Sequence, residues 1–370
     1  MLIPIKPMID RSLFMRSCNT KLPQPWNSGT FYEKGRDALI EGVKNIGLKK
    51  GDCIIVPALI CYPVIEALRN EGYKVHLIDL NKNLSFPKVK LSSLISKKKA
   101  KAFMLIDYFG FLADENIEFS KYLKMKHKNI KIIIDRCHTS FFKRNIFLDL
   151  EKIDLIFFSL RKIIPTFDGG VYFIKKKVIS EIKIRNKIHI TIFYLKRLIE
   201  DLIITIGFPN IFINVFSKFT LFKNSKSINP VLCKNIITNM LYNQLANRNQ
   251  INKIEKIRKQ NYNLIHKVII KNNITPLFNQ LNKSISPQVF PIIDHSKKLN
   301  SYLRRLGVGS YNWPGNELPQ EILSRKKDFK NSIELNSKLL CLPLHQSINK
   351  EHIFYLNNIL KKYEKILSRP

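Results

Sequence analysis

The apolar run Leu155-Ile-Phe-Phe-Ser159 carries Ser159 to its end and is followed by Leu160-Arg-Lys162, then by Gly169-Gly170. A lysine set among Phe158, Ile163, Ile164 and Pro165 is expected to lose hydration, which favours a neutral amine able to attack an aldehyde and form a Schiff base. In a lysine-rich chain the same spacing also suits a solvated loop lysine, so the role of Lys162 depends on what stands near it.

Upstream, Lys131-Ile-Ile-Ile-Asp135-Arg-Cys-His138 is a second apolar run that ends on an acid, with a histidine three residues later. A carboxylate at a strand end can keep a pyridine nitrogen protonated, the state in which a pyridoxal phosphate ring draws electrons from a substrate carbon. A turn or a helix cap is the commoner use of an isolated Asp. Nearer the N-terminus, Gly35-Arg36-Asp37-Ala38-Leu39 opens a helical spacing of apolar residues that continues through Val43 and Ile46. Free amides and the helix dipole at such an end attract phosphate, and the Ser159 hydroxyl can join them.

In this order the pieces resemble fold-type I pyridoxal phosphate (PLP) enzymes, most closely the DegT/StrS family of sugar aminotransferases. The resemblance extends from about Gly35 to the C-terminus and includes Gly51-Asp-Cys-Ile-Ile-Val-Pro57, Asp107-Tyr-Phe-Gly110, Asp135 to His138, and Ser159 to Lys162 with Gly169-Gly170. Arg258-Lys-Gln-Asn-Tyr262 and Leu342-Pro-Leu-His-Gln346 complete it. It implies that Lys162 forms the Schiff base with the cofactor and that Asp135 partners the pyridine nitrogen. It also implies that His138 lies near the phenolic oxygen, and that Ser159 with the backbone of Gly35, Arg36 and Asp37 binds the phosphate. Tyr62 is the candidate for a ring stacked on the pyridine, with Cys61 competing for the same place. Three features depart from the family pattern. Arg36 stands where many members have a small hydroxyl residue, Pro165-Thr-Phe-Asp168 replaces a more glycine-rich approach, and the Asn-Tyr-Arg-Met segment that reaches a neighbouring subunit is not recognisable.

The elements that must position these residues follow from periodicity. Apolar strands at Cys53–Val56, Lys74–Asp79, Ala102–Asp107, Lys131–Asp135, Leu155–Ser159 and Val171–Ile174 alternate with helix-period segments, which predicts an α/β domain with a mainly parallel sheet. The resemblance to fold-type I enzymes implies a sheet of the seven-stranded type. The expected organisation is an N-terminal arm over 1–34, a cofactor-binding large domain over 35–181 and an apolar helical insert over 182–230, then connecting helices and a smaller α+β domain over 231–370. In that last part, strands at Val289–Ile293 and Leu339–Leu344, a helix at Leu299–Leu306 and a final helix from about Lys350 are expected. Trp313-Pro314 and His345-Gln346 fall in loops that can face a substrate.

With 370 residues and 45% apolar content, the chain is long enough for a large core and is not a disordered protein. Six dispersed cysteines without a C-x-x-C pair argue against a zinc site or disulfide scaffold, so no metal is expected, and they suit a reducing cytoplasm. The start reads as mature rather than as a signal peptide, and no apolar run reaches the roughly 20 residues of a membrane span. The formal charge of +35 is spread along the chain without a nucleic-acid motif, so nucleic acid is not expected as a partner. The Ile- and Phe-rich stretch 182–222 is expected to pack on the protein or in a dimer interface, with a peripheral contact to an anionic membrane as the other reading.

The expected function is a PLP-dependent aminotransferase moving an amino group from a glutamate-like donor to a keto-sugar nucleotide, for surface polysaccharide or related biosynthesis, in a homodimer. An elimination or condensation on the same cofactor would use the same Lys162 and Asp135. A descendant that only binds a partner or a membrane would keep the fold while its substrate residues drift, and the intact Lys162 and Asp135 argue against a complete loss of catalysis.

Overall fold

The computed structural model describes residues 1–8, 22–138, 146–166, 169–175, 243–281, 285–315 and 318–367, with Ile199, Leu202 and Leu241. Asp168 and the rest of the apolar stretch 182–222 lie outside the described residues.

The alternation of apolar runs and helical spacings folds as strands β1 (Thr30–Tyr32), β2 (Cys53–Pro57), β3 (Lys74–Ile78), β4 (Ala102–Ile106), β5 (Lys131–Asp135), β6 (Leu155–Ser159) and β7 (Gly170–Phe173). Between them run α1 (Gly35–Asn45), α2 (Tyr62–Asn70), α3 (Lys88–Lys98), α4 (Ala113–Lys126) and α5 (Ile146–Leu150). The seven strands form one sheet in the order β1-β7-β6-β5-β4-β2-β3. From β3 across to β6 neighbouring strands are parallel, whereas β7 runs antiparallel to both β6 and β1. The six strands expected from sequence are present. The three-residue edge strand β1 was not expected, because so short a run carries no period-2 signal.

The central strands are apolar on both faces because helices cover both. Ile132, Ile133, Ile134, Phe157 and Phe158 are all at most 1% exposed. Burying each such side chain contributes about 1.5–3 kcal/mol, so the strand ends are held on a rigid base. Parallel strands must finish on one side of the sheet, and Pro57, Ile106, Asp135 and Ser159 are the last residues of β2, β4, β5 and β6.

The C-terminal part begins with the 24-residue helix α6 (Arg248–Lys271). A second, antiparallel sheet follows in the order β10-β11-β9-β8, built from β8 (Thr275–Pro276), β9 (Val289–Ile293), β10 (Tyr311–Asn312) and β11 (Leu339–Pro343). It is accompanied by α7 (Leu299–Arg305), α8 (Gln320–Leu323), α9 (Lys330–Lys338) and α10 (Lys350–Leu367). The N-terminal residues dock on this part: Ile3 bridges Val308, and His345 Nε2 lies 2.8 Å from the Pro4 carbonyl. Among the described residues, no helix is long and apolar enough to cross a membrane.

Candidate active site

Lys162 ends a 3₁₀ turn, Leu160–Lys162, that directly follows β6. Ile163 and Ile164 behind it are fully buried, and Lys162 itself is half-buried. Its charge acts on Asp135, His138, Cys61 and Cys137, so these groups share one electrostatic neighbourhood.

Asp135 closes β5 and is 7% exposed. Burial raises its carboxyl pKa; the Lys162 charge and the Cys137 amide, which donates to Oδ1 at 2.8 Å, oppose that rise. The strand end is fixed by a buried ionic triad. Arg136 Nε donates to Asp107 Oδ2 at 2.8 Å and Nη1 to Asp149 Oδ2 at 2.7 Å, while Asn116 Nδ2 donates to Asp107 Oδ1 at 2.6 Å. The Asp107 amide in turn donates to the Asp135 carbonyl at 2.9 Å.

His138 is 4% exposed and enclosed by aromatic rings. Phe109 stacks on it with centroids 5.3 Å apart and planes 8° apart, and Trp313 meets its edge at 5.1 Å. Trp313 also packs edge-on against Tyr108 and Phe109. Burial, helped by the Lys162 charge, lowers the imidazole pKa well below its ordinary value, so the ring is neutral. The Phe109 amide donates to Nδ1 at 3.5 Å, which leaves the ring proton on Nε2. Phe109 makes this contact at φ 54°, a left-handed conformation that a side chain adopts only where the surroundings hold it.

The start of α1 meets the ends of β6 and β7 at very close range. A Cβ on Gly35 would lie 3.1 Å from Ser159 Cβ and 3.2 Å from Cys137 Sγ. A Cβ on Gly170, which pairs with Ser159, would lie 2.1 Å from the Lys34 carbonyl oxygen. Two glycines therefore permit the contact that brings the first turn of α1 beside Ser159. No side chain caps this turn. The Asp37 amide is engaged by the Lys34 carbonyl at 3.1 Å. Burial raises the Asp37 carboxyl pKa, with Lys34 and Arg36 opposing it. Arg36 Nε is buried and has no hydrogen-bond partner among the described residues. A helix start with uncapped amides, a hydroxyl and a buried guanidinium nitrogen in want of an acceptor is a fitting seat for a phosphate monoester.

Of the residues expected from sequence, Lys162, Asp135 and His138 share one neighbourhood, and Gly35, Arg36 and Asp37 stand at the helix start beside Ser159. Tyr62 does not join them: it opens α2 and is 44% exposed. Consecutive residues at a helix start point in different directions. Here Cys61 is the one facing inward, within the field of Lys162 and Asp135 and with Sγ 3.8 Å from the Pro314 carbonyl. Cys61 and Tyr62 are adjacent, so spacing alone could not choose between them. The aromatic enclosure by Phe109 and Trp313 was also missed as such, although both segments carried a signal in the Tyr108-Phe-Gly110 turn and the Trp313-Pro314 pair.

The fold is shared with solved structures over nearly the whole chain. Helicobacter pylori PseC, an aminotransferase involved in the biosynthesis of pseudoaminic acid, superposes with a TM-score of 0.67 at 17% identity, covering 99% of this chain and 100% of that one. Spr1654 from Streptococcus pneumoniae in its PLP form gives 0.66 at 14% identity, with 100% of each chain covered. The sugar aminotransferase CalS13 from Micromonospora echinospora gives 0.62 at 10% identity, covering 91% of this chain and 87% of that one. No curated protein matches the sequence. Residues 29–189, which contain Gly35, Asp135, Ser159 and Lys162, match the DegT/DnrJ/EryC1/StrS aminotransferase family.

Proposed function

We propose that this protein is a PLP-dependent aminotransferase that transfers an amino group from a glutamate-like donor to a keto-sugar carried on a nucleotide, in the cytoplasm and in a pathway of surface polysaccharide or a related glycan. The observation that carries the reading is the convergence of Lys162 and Asp135, two charged groups on neighbouring parallel strand ends, beside a helix start suited to a phosphate.

When bound, PLP supplies an aldehyde for imine formation and a protonated pyridine ring that withdraws electrons from the substrate carbon. Lys162 Nζ would hold the aldehyde and, as a free amine, would serve as the base that moves a proton between the substrate carbon and the cofactor carbon. Asp135, with Oδ1 anchored by the Cys137 amide, would hold a proton on the ring nitrogen. His138 would donate from Nε2 to the phenolic oxygen, because Nδ1 already accepts from Phe109. Ser159, the first amides of α1 and the Arg36 guanidinium would bind the phosphate, Arg36 supplying charge in place of a small hydroxyl residue. Phe109 and Trp313 would exclude water from the His138 side. Cys61, rather than Tyr62, would border the ring.

The active unit on this reading is a homodimer, which sedimentation of the active enzyme would check. The substrate reading is tested by incubating the PLP-loaded protein and glutamate with a panel of keto-sugar nucleotides. Release of 2-oxoglutarate dependent on one of them is expected; release with none of them, from a protein that carries the cofactor, would contradict it.

A further inference from the structure

The carbonyl of Ile163, the residue after Lys162, accepts hydrogen bonds from two side chains of the C-terminal part. Arg258 Nη2 donates to it at 3.0 Å and Gln346 Nε2 at 3.2 Å. Arg258 has no exposed surface, and its other donors are engaged as well: Nε to Gln346 Oε1 at 3.0 Å, and Nη1 to the carbonyls of Pro287 and Gln288 at 3.1 and 3.0 Å. The Gln288 amide then donates to the His138 carbonyl at 3.2 Å. A single guanidinium thus ties the backbone beside Lys162 to the backbone of His138, across residues far apart in sequence.

These acceptors are all neutral oxygens. Burial lowers the Arg258 pKa to about 9, and an apolar residue of similar volume would occupy the position without that cost. What only arginine supplies is a planar fork whose donors reach several carbonyls at once. One helical turn along α6, Asn261 Nδ2 donates to the carbonyls of Leu344, His345 and Ile348, so the same helix face also holds the loop that presents Gln346.

We propose that Arg258, acting with Gln346 through the Ile163 carbonyl, is a positioning residue that sets where the Lys162 amine stands relative to His138. The proposal rests on Lys162 being the cofactor-binding lysine. A misplacement of about 1 Å at a reacting amine can cost up to about a hundredfold in rate, while binding of the phosphate at the other end of the site is independent of it.

The experiment compares wild type, Arg258→Lys and Gln346→Glu. Gln346→Glu retains an acceptor for Arg258 Nε and removes the donor to Ile163, so it remains informative if Arg258→Lys does not fold. Two quantities are measured on folded protein: the rate at which added PLP becomes borohydride-fixed on Lys162, read by mass spectrometry, and the Kd of pyridoxine 5'-phosphate, which cannot form an imine. The expected result is a Lys162 modification rate lowered about tenfold or more with the pyridoxine 5'-phosphate Kd within about twofold of wild type. Unchanged modification rates would overturn the proposal alone, as would a lowered rate accompanied by a raised Kd, the mark of a general structural role. Absence of Lys162 modification in the wild type would overturn the cofactor reading and this proposal with it.

Discussion

Gly35 stands so close to Ser159 that a Cβ added to it would lie 3.1 Å from the serine Cβ, and this contact joins the first turn of α1 to the end of β6. Its counterpart Gly170 is more constrained still, with the Lys34 carbonyl oxygen 2.1 Å from where a Cβ would be. Gly170→Ala is therefore expected to push the helix start away and lower stability by about 1–3 kcal/mol, the usual cost of overpacking. Gly35→Ala is expected to keep most of the stability and to weaken PLP binding about tenfold, near the loss of one charge-assisted phosphate contact. Urea unfolding and cofactor titration separate the two effects. Unchanged cofactor affinity in Gly35→Ala would count against a phosphate seat at this helix start.

The buried triad carries a second expectation. Arg136→Met removes the cation shared by Asp107 and Asp149 and is expected to destabilise the protein by about 3–5 kcal/mol. Adding Asp107→Asn and Asp149→Asn to the same chain is expected to restore a large part of this, which a denaturation series would show.

Asp135→Asn should separate stability from catalysis. Burial raises the Asp135 pKa above its ordinary 3.8, so its contribution to stability is greatest below that value and is lost as pH rises through the folded-state value. At neutral pH the ionised group costs the ligand-free protein stability, and the amide can still accept from the Cys137 N–H. Thermal unfolding without cofactor is expected to show no loss of Tm at pH 7, while transamination falls by about 10²–10³-fold, as when an electrostatic stabiliser is removed.

His138 has the opposite sign. Its folded-state pKa lies well below the ordinary 6.5, so the stability from a neutral ring is present above 6.5 and is lost as pH falls from there towards the folded-state value. The slope from one such group reaches about 1.4 kcal/mol per pH unit. His138→Gln, neutral at every pH, is expected to flatten the acid limb of the stability profile below pH 6.5. An unaltered acid limb would show that His138 is not the group that must charge there.

Much of this arrangement can be read along the chain where the signal is local. Strands β2 to β7 follow from their apolar runs, and Asp135, Ser159 and Lys162 are found because a parallel sheet offers chemistry at its strand ends. The Gly35 helix start is legible for a similar reason, as an amphipathic spacing opened by glycine. Contacts made at long range are not legible. The burial of Arg136 depends on Asp107 and Asp149, which lie 29 and 13 positions away. Arg258 and Gln346 are 88 positions apart, and both meet Ile163 only after α6 and the loop following β11 have docked. The choice between Cys61 and Tyr62 turns on the direction of a helix start, which spacing does not encode.

The central claim, that Lys162 is the residue that holds the cofactor, is tested most directly by adding PLP to the wild-type protein and to Lys162→Ala, reducing each with borohydride and mapping the label by peptide mass spectrometry. The account predicts a chromophore in the wild type that becomes fixed on the peptide carrying Lys162 and is absent from Lys162→Ala. A colourless wild type, or a label found on another lysine and retained in Lys162→Ala, would contradict it.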